Sequence, residues 1–286
     1  MNILVTGGAG FIGSHLADAL LALGHNVTIL DNLITGKRQN LPEYHKNMTF
    51  IEGDIRDVAL VSKIMQKMDM VFHLAACVSV QKSMEEPEYS KSMNIDGFFT
   101  ILEAAKATHV KKFIFASSAA VYGDPQSFPI KETDKTVPTS PYGLEKLVGE
   151  QYLQLYADIY GMDYIAGRFF NVYGERQDPQ SPYTGVMSIF EDRAQRGDDL
   201  YIYGDGTQIR DFISVSEVIN SLIRLAFSKE CGIFNIGTGT ETTLTTLAET
   251  ILKKHHLPLC KIHYTDARIG DIKRSVADIS KIKNII

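Results

Sequence analysis

The sequence predicts an α/β fold: a doubly wound parallel sheet with helices on both faces and a smaller, less regular C-terminal lobe. Three observations carry that expectation. Short apolar runs rich in Val, Ile and Phe alternate with longer amphipathic segments through the first two-thirds of the chain. A glycine-rich turn joins the first run to the first amphipathic segment. After about residue 170 the rhythm gives way to loops rich in Gly, Asp, Pro and Gln, such as "GERQDPQSPYTG" and "YGDGTQ". Strands that are apolar almost throughout, separated by helices, pair in parallel and are buried on both faces.

Taken in order, "NILVT" (2–6) is the first strand and "FIGSHLADALLALG" (11–24) the first helix. "NVTIL" (26–30), "MTFIE" (48–52), "MVFHL" (70–74), "KFIFA" (112–116) and "DYIAG" (163–167) follow as strands, each short and rich in β-branched or aromatic residues. The stretches 95–109 and 142–161 carry apolar residues at helical spacing. The expected division is a dinucleotide-binding domain over 1–170 and a substrate-binding lobe over 171–286, with interleaving elements allowed. No repeat of 20–50 residues and no low-complexity segment is visible.

Composition narrows the function classes. The chain has 286 residues, 44% of them hydrophobic and 22% charged, as in ordinary globular proteins. A net charge of −5 argues against nucleic acid or an anionic membrane as partner. Cys77, Cys231 and Cys260 lie far apart and match no metal-ligand spacing, so no metal is expected and a reducing compartment suits them. Apolar runs are too short to span a bilayer, and a strand-like run starts at residue 2, so the expectation is a cytoplasmic protein without a signal peptide.

The turn "TGGAGFIG" (6–13) places Gly7, Gly10 and Gly13 between the first strand and the first helix, with Phe11 and Ile12 opening that helix. The first glycine permits a tight turn, the second lets backbone amides approach a pyrophosphate, and the third allows close helix–strand packing. Asp31 ends the second strand 18 positions after Gly13, where a carboxylate accepts hydrogen bonds from an adenosine ribose and repels a 2′-phosphate. Asn32 follows it. This makes the sheet Rossmann-type and the cofactor NAD, with Lys37 and Arg38 as nearby cations that weigh against so simple a preference. In "GDI" (53–55), Asp54 and Ile55 flank the adenine, and a plain turn role for Asp54 stands as the alternative. "HLAA" (73–76) ends the fourth strand with Ala75 and Ala76, small enough for a cofactor to lie against them.

"SPYGLEK" (140–146) sets Tyr142 and Lys146 four positions apart on one helical face. The spacing alone is equally that of surface decoration. Beside a nicotinamide it gains meaning, because the fifth strand runs into "FASSAAVYG" (115–123) at the same sheet edge. The ordered set of glycine loop, strand-five serine and Tyr-x-x-x-Lys resembles the extended short-chain dehydrogenase/reductase family over essentially the whole chain. The resemblance implies catalytic roles for Ser118, Tyr142 and Lys146, with Tyr142 and Lys146 also touching NAD. Ser117 is the alternative to Ser118, as a packing or substrate-contact residue. A free phenol titrates near ~10. Service as a base at neutral pH therefore asks for lowering by roughly three units, about 4 kcal/mol, which Lys146 and a cationic nicotinamide are expected to share.

"RFFNVYGERQDP" (168–179), "GDGTQIRDF" (204–212) and "RIGDIKRSVADISK" (268–281) look like the corresponding segments of nucleoside-diphosphate-sugar epimerases, in particular UDP-N-acetylglucosamine and UDP-glucose 4-epimerases. By that resemblance Asn171 contacts a diphosphate oxygen, and Arg210 and Arg268 neutralise the diphosphate. Tyr201 and Tyr203 hold the uracil through backbone groups, and Val186 and Asp271 line the substrate site. Family dehydratases carry an Asp-Glu pair where this chain has Ala119 and Ala120, so the resemblance implies 4-epimerisation through a transient 4-keto sugar. By the same resemblance Ser275 occupies the position that limits the carbon-2 substituent, with a plain turn or strand role as the alternative, and Ser79 contacts the same part of the sugar. The small side chain of Ser275 implies acceptance of UDP-N-acetylglucosamine and UDP-N-acetylgalactosamine, with UDP-glucose and UDP-galactose also possible substrates. An enzyme restricted to UDP-glucose and UDP-galactose or to UDP-glucuronate, and a non-catalytic NAD-binding sensor, are the alternatives. The resemblance also implies a homodimer through the helices at 95–109 and 142–161.

Overall fold

The computed structural model describes residues 1–179, 185–267 and 271–285. The chain begins with β1 (Asn2–Thr6), α1 (Phe11–Ala22), β2 (Asn26–Asp31), β3 (Met48–Glu52), α2 (Val58–Met65) and β4 (Met70–His73). It continues through α3 (Val80–Glu85), α4 (Pro87–Lys91), α5 (Gly97–Ala107), β5 (Lys112–Ser118), α6 (Pro141–Tyr160) and β6 (Asp163–Phe169). The less regular part contains β7 (Asn171–Tyr173), α7 (Val186–Arg196), β8 (Leu200–Tyr203), β9 (Ile209–Arg210), β10 (Phe212–Ser214) and α8 (Val215–Phe227). It closes with β11 (Gly232–Ile236), β12 (Thr242–Thr243), α9 (Leu244–Lys254), β13 (Ile262–Thr265), β14 (Arg274–Ser275) and α10 (Ser280–Lys283).

The main sheet has seven strands in the order β11-β6-β5-β4-β1-β2-β3, all parallel. Within β1, Ile3 and Val5 join the core on the side of α1 and α8, while Leu4 joins the core on the side of α2 and α5. That is the two-residue period of a strand, with apolar residues on both faces because both are covered. The order reverses at β1, whose neighbours are β2 and β4, and a ligand crevice opens at such a switch point.

The C-terminal part builds its own core from Phe190, Leu200, Ile202, Leu247 and Ile251 between α7, β8 and α9. Its short strands pair as β13-β8, β10-β7 and β12-β9-β14. The strand β11 lies on the main sheet beside β6, and α8 packs against α1, so the two lobes interleave along the chain. Strand β5 runs two residues beyond the expected run, to Ser118, and carries both serines to the sheet edge. The expected helix over 95–109 begins instead as a π turn at Ser92–Asp96 that leads into α5. Among the described residues no helix is long and apolar enough to cross a membrane, and no group of three or more His, Cys, Asp or Glu side chains is placed to hold a metal ion.

Candidate active site

A cleft of about 1010 Å³ opens over the carboxyl edge of the sheet, walled by the glycine turn, the ends of β2, β4 and β5, the start of α6 and the segment after β6. Gly7 has φ +69°, and a Cβ there would lie 2.7 Å from the Ala75 amide nitrogen. A Cβ on Gly13 would overlap the Gly7 carbonyl oxygen, and Gly10 is the cap residue of α1. The cap donates no side-chain hydrogen bond and the first turn holds no acidic residue, so the amides of this helix end remain for an anion. A floor stripped of Cβ atoms below a bare helix N-terminus fits the pyrophosphate of a dinucleotide. Phe11, Ile12, Ala75 and Ala76 complete this part of the wall.

Asp31 is buried, its carboxylate accepting the Ala9 N–H on Oδ2 and the Leu33 N–H on Oδ1, each at 2.9 Å. A carboxylate has about four acceptor sites, so capacity for ribose hydroxyls remains. The two nearby cations are engaged elsewhere. Lys37 pairs with Asp178 at 2.7 Å, and Arg38 donates to the carbonyls of Leu41, Pro42 and Glu43. A buried carboxylate whose two nearby cations are both engaged elsewhere matches NAD. Asn32 and Ile55 line the cleft. Asp54 is not among the lining residues: Arg56 grips its carboxylate from Nη2 at 2.7 Å and Nε at 2.9 Å, holding it down at about 2. Asp54 Oδ1 also accepts the Arg56 N–H at 2.8 Å, which closes a local turn.

The helix α6 starts where the sequence allows little else. Ser140 caps it, accepting the Gly143 N–H at 3.1 Å, and Pro141 occupies the first turn, where its missing N–H is harmless. The Tyr142 N–H is bound by Ser83 Oγ at 3.2 Å. One turn on, Lys146 is buried and donates from Nζ to the Ala116 carbonyl at 2.8 Å. Ser118, at the end of β5, accepts the Ala120 N–H at 3.2 Å. Ser118, Tyr142 and Lys146 all border the cleft. Ser117 serves packing instead: its hydroxyl donates to Glu150 at 2.5 Å, and Glu150 forms a buried two-pronged ion pair with Arg168.

The electrostatics correct one expectation. Tyr142 is pushed up to about 12, chiefly by desolvation of its phenol, with the nearby Ser118 hydroxyl pulling the other way. Lys146 is pushed down to about 8 by burial. Burial of the phenol is the larger effect, while the Lys146 ammonium faces the Tyr142 ring at 5.7 Å from its centroid and donates to the Ala116 carbonyl. Deprotonation at neutral pH therefore depends on positive charge brought by an oxidised nicotinamide more than on Lys146 alone.

The residues expected to hold the substrate fall into two groups. Ser79, Asn171 and Val186 border the cleft. Ser79 also caps α3, and the Asn171 side-chain amide donates to the Asp211 carbonyl at 3.0 Å. Tyr201, Tyr203, Arg210, Asp271 and Ser275 are not on the cleft wall. Arg210 donates to Asp271 at 2.6 Å and to the Ile209 carbonyl. The Tyr203 carbonyl takes the Gln208 amide at 2.6 Å, and the Tyr201 ring stacks on His263. Ser275 is the strand partner of Arg210. Arg268 lies outside the described residues.

Two features went unread in the sequence. Asp211, fully buried, gathers the N–H groups of Thr238, Gly239 and Ala277 and the Thr238 hydroxyl at 2.7–3.1 Å, locking the strand that carries Arg210. Its signal was an acidic residue beside Arg210 and a "GTGT" loop further on. The segment 174–178 straps the glycine-turn helix: Arg176 pairs with Asp18 at 2.7 Å, the Glu175 carbonyl meets His15 at 2.9 Å, and Asp178 meets Lys37.

Comparison with known proteins agrees with this geometry. Residues 3–237 match the family described as "NAD dependent epimerase/dehydratase family". A UDP-glucose 4-epimerase of Mycolicibacterium smegmatis is 37% identical over 291 residues, spanning 100% of this chain and 92% of that protein. The UDP-N-acetylglucosamine 4-epimerase of Methanobrevibacter ruminantium, solved with UDP-N-acetylmuramic acid, superposes with a TM-score of 0.95 at 44% identity, covering 99% of this chain and 91% of that one. The Thermus thermophilus UDP-glucose 4-epimerase, solved with NAD, gives 0.92 at 37% identity over 99% of this chain and 92% of that one. With a backbone cradle shaped for a dinucleotide and a Ser-Tyr-Lys set beside it, the chain belongs to the NAD-dependent epimerase/dehydratase family of enzymes, and its cofactor is NAD.

Proposed function

We propose that this NAD-dependent UDP-sugar 4-epimerase interconverts UDP-N-acetylglucosamine and UDP-N-acetylgalactosamine, and UDP-glucose and UDP-galactose as further substrates. The observation that carries the reading is the convergence of Ser118, Tyr142 and Lys146 on the cleft that also holds the glycine cradle. Tyr142 takes the proton of the sugar 4-hydroxyl while Ser118 orients that hydroxyl, and Lys146 holds positive charge beside the phenol. NAD, when bound, supplies the acceptor and donor of the carbon-4 hydride. Ala119 and Ala120 offer no acid or base for eliminating water, so the 4-keto sugar is reduced again after presenting its other face. Conversion of UDP-N-acetylglucosamine without added NAD, with product stereochemistry read by NMR, tests the proposal; absence of the 4-epimer refutes it.

The preference for N-acetylated sugars rests on the small Ser275 and on the similarity to a UDP-N-acetylglucosamine 4-epimerase. Filling this position costs about 1–3 kcal/mol where space is needed. Ser275→Tyr is expected to lower kcat/KM for UDP-N-acetylglucosamine roughly 10- to 100-fold while retaining UDP-galactose turnover. Equal loss on both substrates contradicts the assignment.

The homodimer is proposed from the outer face of α5 and α6. Phe99, Leu144, Tyr152, Leu155 and Ile159 are exposed there at helical spacing, and the Phe99 and Tyr152 rings meet edge to face at 5.3 Å. A contiguous apolar face of this kind suits a second copy of the same chain. Leu155→Glu is expected to convert the dimer to a monomer in sedimentation. A variant that stays dimeric places the interface elsewhere.

A further inference from the structure

Glu145 stands immediately before Lys146, is buried, and has no part in the reaction above. Its Oε2 accepts the Ser90 hydroxyl at 2.7 Å and the Asn94 side-chain amide at 2.6 Å. Asn94 stands on the π turn Ser92–Asp96, an irregularity frequent at functional sites. Its amide nitrogen also donates to the Cys77 carbonyl at 2.9 Å, and its amide oxygen accepts the Cys77 N–H at 2.7 Å. Cys77 borders the cleft just after Ala75 and Ala76. A continuous chain of hydrogen bonds thus runs from the cleft wall through Asn94 to the helix that carries Tyr142 and Lys146.

A neutral acceptor would complete that chain equally well, so the carboxylate calls for its own reason. Burying a carboxylate with two neutral donors is costly. Charged and titratable neighbours of Lys146 supply the reason. From α6 they are Tyr142, Glu145 and Glu150; from β4 and the loop after it, His73 and Cys77; β5 adds the Phe115 ring and the Ala116 carbonyl. His73 is buried, held neutral far below its usual value, and bonded to Thr6. Glu150 is committed to Arg168, whereas among the described residues Glu145 forms no ion pair.

We propose that Glu145 is a positioning residue for the Tyr142–Lys146 pair, anchoring the helix that carries both to the cleft wall through Asn94 and placing a carboxylate one residue from Lys146. The inference rests on the epimerase reading above. Negative charge at Glu145 raises both Tyr142 and Lys146. The reaction needs Tyr142 deprotonated and Lys146 protonated; with the charge of bound oxidised nicotinamide bringing Tyr142 below Lys146, the pH profile is a bell with Tyr142 on its acid limb and Lys146 on its alkaline limb. Removing the charge lowers both, and both limbs move to lower pH.

The test uses the NAD-loaded protein and compares full pH profiles of kcat/KM. Glu145→Gln keeps the acceptor and drops the charge: both limbs should shift acidward by at least about half a unit. Glu145→Asp keeps the charge and shortens the reach to Asn94: the bell should stay in place while kcat falls roughly 10-fold or more. A Glu145→Gln profile that overlays the parent overturns the inference, as does a Glu145→Asp bell displaced as far as that of Glu145→Gln. If the parent protein itself does not epimerise, it is the functional reading that fails, so the two failures are distinguishable.

Discussion

Replacing Tyr142 with Phe is expected to reduce kcat about 1000-fold or more while the protein keeps its NAD. General acid–base catalysis by a placed side chain contributes roughly 10²–10⁴-fold. In this site no second group stands ready to take the role. Ser118 is a neutral hydroxyl that accepts the Ala120 N–H, and Lys146 is an amine that donates to the Ala116 carbonyl and works beside the phenol as a cation. The substitution removes one oxygen and leaves the ring, with the ammonium 5.7 Å from its centroid, so the fold is undisturbed. Kinetics and a bound-nucleotide assay on the same preparation check both halves. Retention of most turnover would mean that another base serves the 4-hydroxyl.

Gly13→Ala is expected to strip the protein of cofactor. The added Cβ overlaps the Gly7 carbonyl oxygen and lies 2.8 Å from the Gly8 Cα, so it meets backbone and not a side chain that can swing away. The loop must move, and Gly7 is itself held close to the Ala75 amide, so little room exists for it to do so. Overpacking of this kind typically costs about 1–3 kcal/mol, occasionally more, or roughly 10- to 100-fold in NAD affinity if it falls wholly on the bound state. Nucleotide content after purification and calorimetric titration with NAD measure it. A variant that binds NAD like the parent would show that the turn is not the pyrophosphate cradle.

The parts of the fold and site that lie in contiguous strings were legible in the sequence. Strands buried on both faces must be apolar almost throughout, and β1, β4 and the core of β5 follow from that constraint. The glycine turn and the "SPYG" start of α6 are local backbone chemistry, which needs no tertiary partner to be recognised. What stayed hidden depends on partners distant along the chain. Asp271 meets Arg210 across 61 positions, and Glu145 meets Asn94 across 51; neither distance leaves a local trace. The return of β11 to the main sheet is likewise a choice of partner rather than of local conformation. The direction of the Tyr142 shift was hidden for a different reason. Spacing brings an ammonium near the phenol, but burial sets the larger effect, and burial belongs to the folded molecule.

The most direct test of the hydride-return mechanism is the fate of deuterium at carbon 4 of UDP-N-acetylglucosamine, incubated in ordinary water with the protein as purified and no added NAD. The account predicts equilibration with UDP-N-acetylgalactosamine and the label still on carbon 4, since the hydride leaves and returns without meeting solvent. Loss of the label to water during interconversion, or failure of the two sugars to equilibrate, would contradict it.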